Sequence, residues 1–461
     1  MSRELSAAAE TFVARLDRVP LNRFHWRLLA VSGLGWMFDA MDVLMLSFLL
    51  APIASEFKLD PGQRGLVGSA TFVGMFIGAA VAGRLADRYG RRGVFTTTLV
   101  VFSAGAALSA LAPTYETLLA ARVIAGLGLG GELPVAATLV SELSPRSQRG
   151  RMIVLLESFW AWGTILAGLV AITVLPVYGW RGAFAIGALP ALYVAYLRRA
   201  LPESPRFLAE RGRAPEADAV VRRIERAGGG ALLTLAPVIA PIRAGKTRVR
   251  ELLSARYIRR TAMLWILWFG VVLTYYGMFL WIPSLLVARG FDDVRPGQAN
   301  MLFFLSTLAQ VPGYFSAAWL VERWGRKPTL VVYLVATAIS AYMFGSLGAG
   351  SDATNAGLVL LWLSLLSFFN LGAWGVVYSY TPELYATSVR ATGSGVAAAV
   401  GRVGGIIGPY LTPVLIPAIA VNGTFALFMA LLLITAGAVA ALGEETRGRS
   451  LEEIAPEAEA A

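Results

Sequence analysis

Long apolar stretches alternate with short charged connections along the chain, and twelve of the stretches are long enough to span a bilayer. In the first half the predicted spans cover 28–50, 65–85, 94–112, 117–141, 152–175 and 181–198. In the second half they cover 260–286, 300–321, 329–348, 357–380, 393–416 and 422–442. The pattern predicts an all-α integral membrane protein with twelve transmembrane helices in two pseudo-symmetric six-helix bundles, 28–198 and 260–442. The two bundles are joined by a linker, 199–259, that contains short helices. A segment 1–27 precedes the first bundle, and a tail 443–461 follows the second.

Two charged sequence motifs occupy matching positions in the two halves. Asp87-Arg88-Tyr89-Gly90-Arg91-Arg92 follows the second predicted span, and Glu322-Arg323-Trp324-Gly325-Arg326-Lys327 follows the eighth, 235 positions later. A second pair, Glu142 with Arg149 and Glu383 with Arg390, follows spans four and ten at an offset of 241. Such a repeat is typical of a two-fold transporter.

Two interpretations of these charged loops stay open at this point. The cations could simply hold the helix ends on the cytoplasmic side. Alternatively, acids and bases could form a salt-bridged latch that breaks and re-forms as the halves rock, although exposed ion pairs are individually weak. Because the acids and bases occur in matched pairs, we favour a latch made of Asp87, Arg88, Arg91, Glu142, Arg149, Glu322, Arg323, Arg326, Glu383 and Arg390.

Composition supports the membrane assignment. Hydrophobic residues make up 57% of the 461 residues and charged residues only 15%, which a water-soluble protein could not bury. Cysteine is absent and His25 is the only histidine, so disulfides, thiolate metal sites and histidine-based catalytic triads are not expected. The sequence therefore predicts no metal, no cofactor and no enzymatic activity.

The distribution of cations predicts the orientation. With the N-terminus inside, 33 of the 40 Lys and Arg fall on cytoplasmic segments and two fall within spans. The other five lie on the outer side of the membrane (Lys58, Arg64, Arg181, Arg289, Arg295). This asymmetry predicts an inner-membrane protein with both termini in the cytoplasm. It also explains the net charge of +11 without a nucleic-acid partner. We expect a monomer whose partners are the lipid bilayer, protons and a small molecule.

Ionisable residues at membrane depth are costly and are candidates for function. Asp39 and Asp42 are three positions apart on span one, so they share a helical face and cannot both ionise easily. We expect them to carry a proton opposite Arg122 of span four. The alternative is a permanent ion pair between spans one and four.

Two further acids and one further cation complete this set. Glu132 and Glu157 fall on the inner sides of spans four and five, where they could bond helix ends near the latch or take part in proton exit or substrate contact. Arg402 is the only ionisable residue predicted within the second-half spans. Its partner could be a first-half carboxylate or the carboxylate of a substrate, and we favour the substrate.

Aromatic residues of three spans predict a site for a flat ring. Asn370, Trp374 and Tyr378 of span ten are four positions apart and form one stripe. Trp160 of span five and Tyr275, Tyr276 and Trp281 of span seven fall at comparable depth. Packing between helices is the alternative for each of these residues. Around Arg402 they describe a box for a ring bearing an acid, whereas a sugar site would need more Gln, Asn and Glu.

Several motifs resemble known families. Gly83-x-x-x-Asp87-Arg88-x-Gly-Arg-Arg resembles the loop signature of the major facilitator superfamily; the second copy departs from it with Glu322 for Asp and Ala318 for Gly. Arg122-x-x-x-Gly126, Pro202-Glu203-Ser204-Pro205-Arg206-Phe207 and Glu445-Thr446-Arg447-Gly448 resemble the sugar-porter branch. Asp39-Ala40-Met41-Asp42 is similar to the span-one motif of aromatic-acid/proton symporters, with Ala40 in place of Gly.

Longer stretches resemble the niacin transporters of this superfamily, which are related to synaptic vesicle glycoprotein 2. They include Gly128-Leu-Gly-Gly-Glu132, Leu155-Leu-Glu157-Ser-Phe-Trp160, Tyr275-Tyr-Gly-Met-Phe-Leu-Trp281 and Phe369-Asn-Leu-Gly-Ala-Trp-Gly375. The resemblance implies uptake of nicotinic acid or a related aromatic monocarboxylate, which we expect to be proton-coupled and to proceed by alternating access. The alternatives are an exporter of the same fold and a non-transporting membrane ligand sensor.

Overall fold

The computed structural model describes residues 12, 14–145, 148–228, 249–348 and 353–448. Within these residues ten helices are long and apolar enough to cross a membrane. The last of them, Thr387–Leu442, contains two spans, because Ala420 interrupts it with non-helical angles (φ 59°, ψ 177°). The sixth span is divided into two shorter helices. The described residues thus contain the twelve predicted spans, and the predicted fold class is confirmed.

The span numbers used below follow chain order. Spans 1 to 6 are Arg23–Glu56, Pro61–Tyr89, Arg91–Ala110, Tyr115–Leu143, Arg149–Thr173 (two helices meeting at Ser158) and the pair Leu175–Gly187 and Pro190–Ala200. Spans 7 to 12 are Ile258–Ala288, Gln298–Arg323, Arg326–Ser346, Ala353–Glu383, 387–419 and 421–442. The connections contain short helices at Pro205–Glu210, Ala214–Ala227, Val249–Leu253 and Phe291–Val294.

Capping residues fix where several spans begin. Asn22 caps span 1, and its backbone N–H donates to His25 Nδ1 at 3.2 Å, which completes a capping box. Asp60 with Gln63 caps span 2 in the same way. The only histidine of the chain therefore has a structural role at the start of span 1.

Glycines allow the helices of the first half to pack at backbone distance. Gly126 and Gly130 of span 4 lie against Thr71 and Met75 of span 2, where a Cβ atom would meet backbone carbonyl oxygens. Gly128 lies in the same way against span 3. Small residues are the usual means of close helix packing in membranes, and here they bring spans 2 and 4 together beside the candidate site.

Segments near the two termini lie at the same end of the molecule, which is called the terminal end below. Arg15 forms ion pairs of 2.6 Å with Asp218 and 2.7 Å with Glu225, both on the linker helix Ala214–Ala227. The hydrogen bond from Arg15 holds the pKa of Asp218 below its ordinary value. Arg260, at the start of span 7, pairs with Glu444 at 2.7 Å. These pairs fasten the linker helix Ala214–Ala227 and the described residues next to spans 1 and 12 to this end.

At the opposite end, called the far end, the two halves are in contact. Ser69 of span 2 donates to the carbonyl oxygen of Ile406 of span 11 at 2.7 Å. The rings of Phe48 in span 1 and Phe303 in span 8 are 5.1 Å apart, and Gly168 of span 5 lies against Phe304. Spans 1, 2 and 5 of the first half thus close against spans 8 and 11 of the second.

Candidate functional site

Aromatic side chains from spans 5, 7 and 10 form one connected cluster. Trp160 donates its indole N–H to the hydroxyl oxygen of Tyr275 at 3.1 Å. The ring centroids of Tyr275 and Trp374 are 5.9 Å apart, and those of Tyr275 and Tyr276 are 4.9 Å apart. Trp374 stacks on Tyr378 at 5.7 Å with an interplanar angle of 30°. These five residues are called the aromatic box below; they lie together, and their contact with a substrate stays a prediction.

Three further rings, which the sequence did not single out, contact the aromatic box. They are Trp36 of span 1, 5.0 Å from Trp160; Phe72 of span 2, 4.3 Å from Tyr276; and Trp268 of span 7, 5.3 Å from Tyr378. Trp268 precedes Tyr275 by seven positions, or two helical turns, so the period of span 7 could have identified it. Trp36 and Phe72 carry no such signal, because their partners lie on other spans.

Two residues predicted for the box have other surroundings. Trp281 lies at the far-end closure, where its indole N–H donates to the carbonyl oxygen of Pro409 at 3.0 Å. Asn370 is one turn before Trp374 on span 10, with 2% of its surface exposed. Its side-chain oxygen has no hydrogen-bond partner among the described residues, so it is a polar group without a protein partner near the box.

Arg402 reaches from span 11 across to the first half. Its guanidinium donates to the carbonyl oxygen of Met75 in span 2 at 3.0 Å and to that of Gly130 in span 4 at 3.5 Å. Tyr276 and Tyr378 of the aromatic box are among its electrostatic neighbours. In the described part of the chain, no carboxylate lies within 4.0 Å of the guanidinium nitrogens. Arg402 is therefore a half-buried cation beside the box, held by dipoles and not by an acid.

Asp42 and Arg122 form a closed pair between spans 1 and 4. Both side chains are fully buried, and the guanidinium donates to both carboxylate oxygens. Thr71 of span 2 accepts from Arg122 Nε at 3.1 Å, and the ring of Phe184 lies 5.0 Å away. In this structure the acid and the cation are paired, as the alternative of an ion pair between these spans describes.

Asp39 and Glu132 face each other across spans 1 and 4. Their exposed fractions are 1% and 0%, and the two carboxyl groups lie within hydrogen-bonding reach of each other. Gly35 makes room for this contact, because a Cβ atom at that position would collide with the Glu132 carboxyl group. From the sequence Glu132 could bond helix ends or take part in proton exit or substrate contact, and a pair with Asp39 was not anticipated.

Glu157 lies beside the aromatic box. It is the last residue of the first helix of span 5, and 4% of its surface is exposed. Trp36, Tyr276 and Tyr378 lie within electrostatic range of its carboxyl group. Glu157 therefore lies next to the rings, and its part in proton exit or substrate contact stays a prediction.

The charged loops at the terminal end form the same ion pairs in both halves. Arg91 pairs with Glu142 at 3.3 Å and with Asp87 at 3.3 Å. The corresponding contacts of Arg326 measure 3.1 Å to Glu383 and 3.4 Å to Glu322. Each of these pairs joins helix ends within one half. Breakage and re-formation of these pairs during transport stay predictions.

Glu203 and Glu445 complete this arrangement and were not predicted as partners of the loops. Glu203 accepts from the backbone N–H of Arg91 at 2.9 Å, and Glu445 accepts from that of Arg326 at 3.0 Å. Each acid thus caps the helix that begins after a glycine of positive φ, Gly90 (97°) or Gly325 (105°). Their presence in the two motifs after spans 6 and 12 was the available signal.

The remaining cations of the loops contact neighbours at the same end. Arg88 lies over the ring of Tyr89 and Arg323 over that of Trp319, at 5.3 and 4.3 Å. Arg149 Nε donates to the carbonyl oxygen of Ser141 at 2.8 Å, and Arg390 Nε donates to that of Tyr385 at 3.3 Å. These contacts position helix ends at the terminal end.

Two known proteins are similar to this chain over nearly its whole length. The niacin transporter NiaP of Acinetobacter baylyi is 47% identical over 443 residues, which is 96% of this chain and 99% of that protein. The synaptic vesicle 2-related protein of Xenopus laevis is 31% identical and covers 96% of this chain, with 83% of its own length matched.

The fold has a solved counterpart in the partially occluded inward-open form of the xylose transporter XylE from E. coli. The TM-score is 0.73 at 19% identity, over 93% of this chain and 99% of the other. The family profile of sugar (and other) transporters matches residues 46–458. Membership in a transporter family also agrees with the expectation that the protein is not an enzyme. The chain belongs to the sugar (and other) transporter family of the major facilitator superfamily.

Proposed function

We propose that the protein imports nicotinate, or a closely related aromatic monocarboxylate, together with a proton by alternating access. The substrate lies in the aromatic box with its carboxylate on Arg402. The name of the 47% identical relative, a niacin transporter, supports the substrate class. The inward-open relative supports the fold on which alternating access operates.

The observation that carries the proposal is a cation beside the rings that has no carboxylate in contact with it among the described residues. A half-buried guanidinium at membrane depth is costly unless an anion accepts its hydrogen bonds. Carbonyl oxygens at 3.0 and 3.5 Å hold Arg402 in place, but they bring no negative charge. A substrate carboxylate supplies that charge in the planar, two-bonded geometry that guanidinium groups favour.

The rings next to Arg402 define the rest of the substrate. Trp160, Tyr275, Trp374 and Tyr378 offer flat faces with few hydrogen-bonding groups. Such a surface binds a flat aromatic ring through offset or edge-on contacts. Glu157 and the amide of Asn370 are the polar groups that can distinguish a ring nitrogen from a ring C–H.

Orientation and the charged loops belong to the same proposal. We place the terminal end in the cytoplasm of an inner-membrane monomer, because most Lys and Arg fall on that side. The division into bundles 28–198 and 260–442 gives the two bodies that rock. Arg91–Glu142 and Arg326–Glu383 then hold the helix ends of each body during the motion.

Competition for binding separates the ring from the carboxylate. Unlabelled benzoate should displace radiolabelled nicotinate from the purified protein, because it keeps both the flat ring and the acid. Nicotinamide should displace it at least about tenfold less well, since it lacks the charge for Arg402. Stronger competition by nicotinamide than by benzoate would contradict the assignment of Arg402. Efflux of preloaded nicotinate without uptake would support an exporter, and binding without accumulation in vesicles would support a sensor.

A further inference from the structure

The facing carboxyl groups of Asp39 and Glu132 have an unusual environment. In the described part of the chain none of their four oxygens receives a hydrogen bond from a donor, and neither group has a cation within 4.0 Å. Two ionised carboxylates at hydrogen-bonding distance in a dry site repel each other strongly. One shared proton converts the contact into an O–H···O bond and leaves the pair with a single negative charge.

The charged and titratable groups around the pair come from four spans. Asp42 lies one turn away on span 1, but Arg122 of span 4 neutralises it. Tyr193 of span 6 is within electrostatic range of Glu132, and its hydroxyl donates to the carbonyl oxygen of Val31 at 3.1 Å. Arg402 of span 11 is within electrostatic range of Asp39.

Two neighbouring spans add no charge at this point. Span 3 contributes the ring of Phe95 near Gly35, and span 5 contributes Gly163 near Ala40. Glu157, although also on span 5, has Trp36 and tyrosine hydroxyls as its neighbours and not the pair. Arg402 is therefore the cation that balances the single charge of the Asp39–Glu132 pair.

The same cation is the one to which the proposed substrate binds. Arg402 donates to the carbonyl oxygen of Gly130, two positions before Glu132 on span 4. An anion placed on Arg402 cancels its positive charge and leaves the charge of the pair without compensation. Uptake of a second proton by the pair restores neutrality, so that anion and proton enter the site together.

We propose that Asp39 and Glu132 form the proton site of the transporter, and that Arg402 couples it to the substrate by charge balance. One carboxylate oxygen gains a proton from solvent for each anion that pairs with Arg402, and no net charge is added to the buried site. The inference rests on the proposed function, which puts the substrate carboxylate on Arg402. Because binding linkage is reciprocal, protonation of the pair must strengthen anion binding to the same extent.

Calorimetry of nicotinate binding tests this coupling on the full chain in detergent. Titrations in two buffers of different ionisation enthalpy give the number of protons taken up per bound nicotinate. We expect about one for the wild type, as linkage of one site to one anion requires. In the double variant Asp39→Asn/Glu132→Gln nicotinate should still bind, but proton uptake should fall to near zero, because no titratable carboxyl group is left in the pair. Both replacements keep the side-chain size, and the amide N–H of one can donate to the amide oxygen of the other, which favours folding.

Glu116→Gln is the matched control, since Glu116 is an exposed acid in the first turn of the same span 4. It should bind nicotinate and take up protons as the wild type does. Binding without proton uptake in the wild type, or unchanged uptake in Asp39→Asn/Glu132→Gln, would overturn the inference alone. Failure of the wild type to bind nicotinate would overturn the inference together with the proposed function.

A measurement without variants gives a second check. Nicotinate affinity in the wild type should rise as the pH falls and the pair takes up its proton, down to the pH at which nicotinate itself becomes protonated and loses its charge. Affinity that is independent of pH across the range in which nicotinate remains an anion would contradict proton linkage at any site, including this one.

Discussion

Replacing Arg402 by alanine should weaken nicotinate binding roughly 10- to 100-fold, since a hydrogen bond to a charged group contributes about 1.5–3 kcal/mol. The loss has a simple physical cause: the ring still finds the aromatic box, but the carboxylate enters a dry site without a counter-charge. Equilibrium binding of radiolabelled nicotinate to purified variants measures the change.

Arg402→Lys sharpens this test, because lysine keeps the charge but loses the planar fork. Its affinity should lie between those of the wild type and Arg402→Ala. Arg295→Ala serves as the control, since Arg295 is exposed between spans 7 and 8, and it should bind normally. Wild-type affinity in Arg402→Ala would show that the carboxylate binds elsewhere.

Asp42→Asn is expected to lower the free energy of unfolding by about 3–5 kcal/mol, because it leaves Arg122 buried without its anion. Both side chains have no exposed surface, so water cannot replace the lost charge. Glu56→Gln is the matched control. Its ion pair with Arg181 is 2.7 Å long but roughly 40% exposed on each side, and its loss should cost at most about 1 kcal/mol.

The double variant Asp42→Asn/Arg122→Gln completes the cycle and should recover much of the lost stability. Thermal unfolding in detergent measures all three variants. If Asp42→Asn is as stable as the wild type, the buried pair does not hold spans 1 and 4 together. The double variant also separates the two roles considered from the sequence. Recovery of both stability and pH-driven uptake assigns the pair a structural role, and stability without uptake assigns it a coupling role.

The twelve spans were predictable because burial in lipid requires long apolar runs that any single sequence displays. Span 2, for example, was predicted at 65–85 and is observed at Pro61–Tyr89. The correspondence of the two charged loops was likewise predictable, and Arg91 and Arg326 make the same contacts in the two halves.

Contacts between helices were less accessible to prediction. Periodicity assigns residues to a face of one helix, but it does not say which face of another helix meets it. The partnership of Asp39 with Glu132 depends on Gly35, which leaves space for the carboxyl group between spans 1 and 4. For the same reason Trp36 was missed as a neighbour of Trp160, and Trp281 was expected near the box although it lies at the far-end closure.

Uptake into proteoliposomes tests the central claim most directly. The purified protein is reconstituted, an inward-directed proton gradient is imposed, and internal radiolabelled nicotinate is followed with time. The account predicts transient accumulation of nicotinate above the external concentration, abolished by a protonophore and absent in Arg402→Ala. Free nicotinic acid also crosses bilayers when protonated, so protein-free liposomes set the baseline. Accumulation no greater than that baseline would contradict proton-coupled import of nicotinate by this protein.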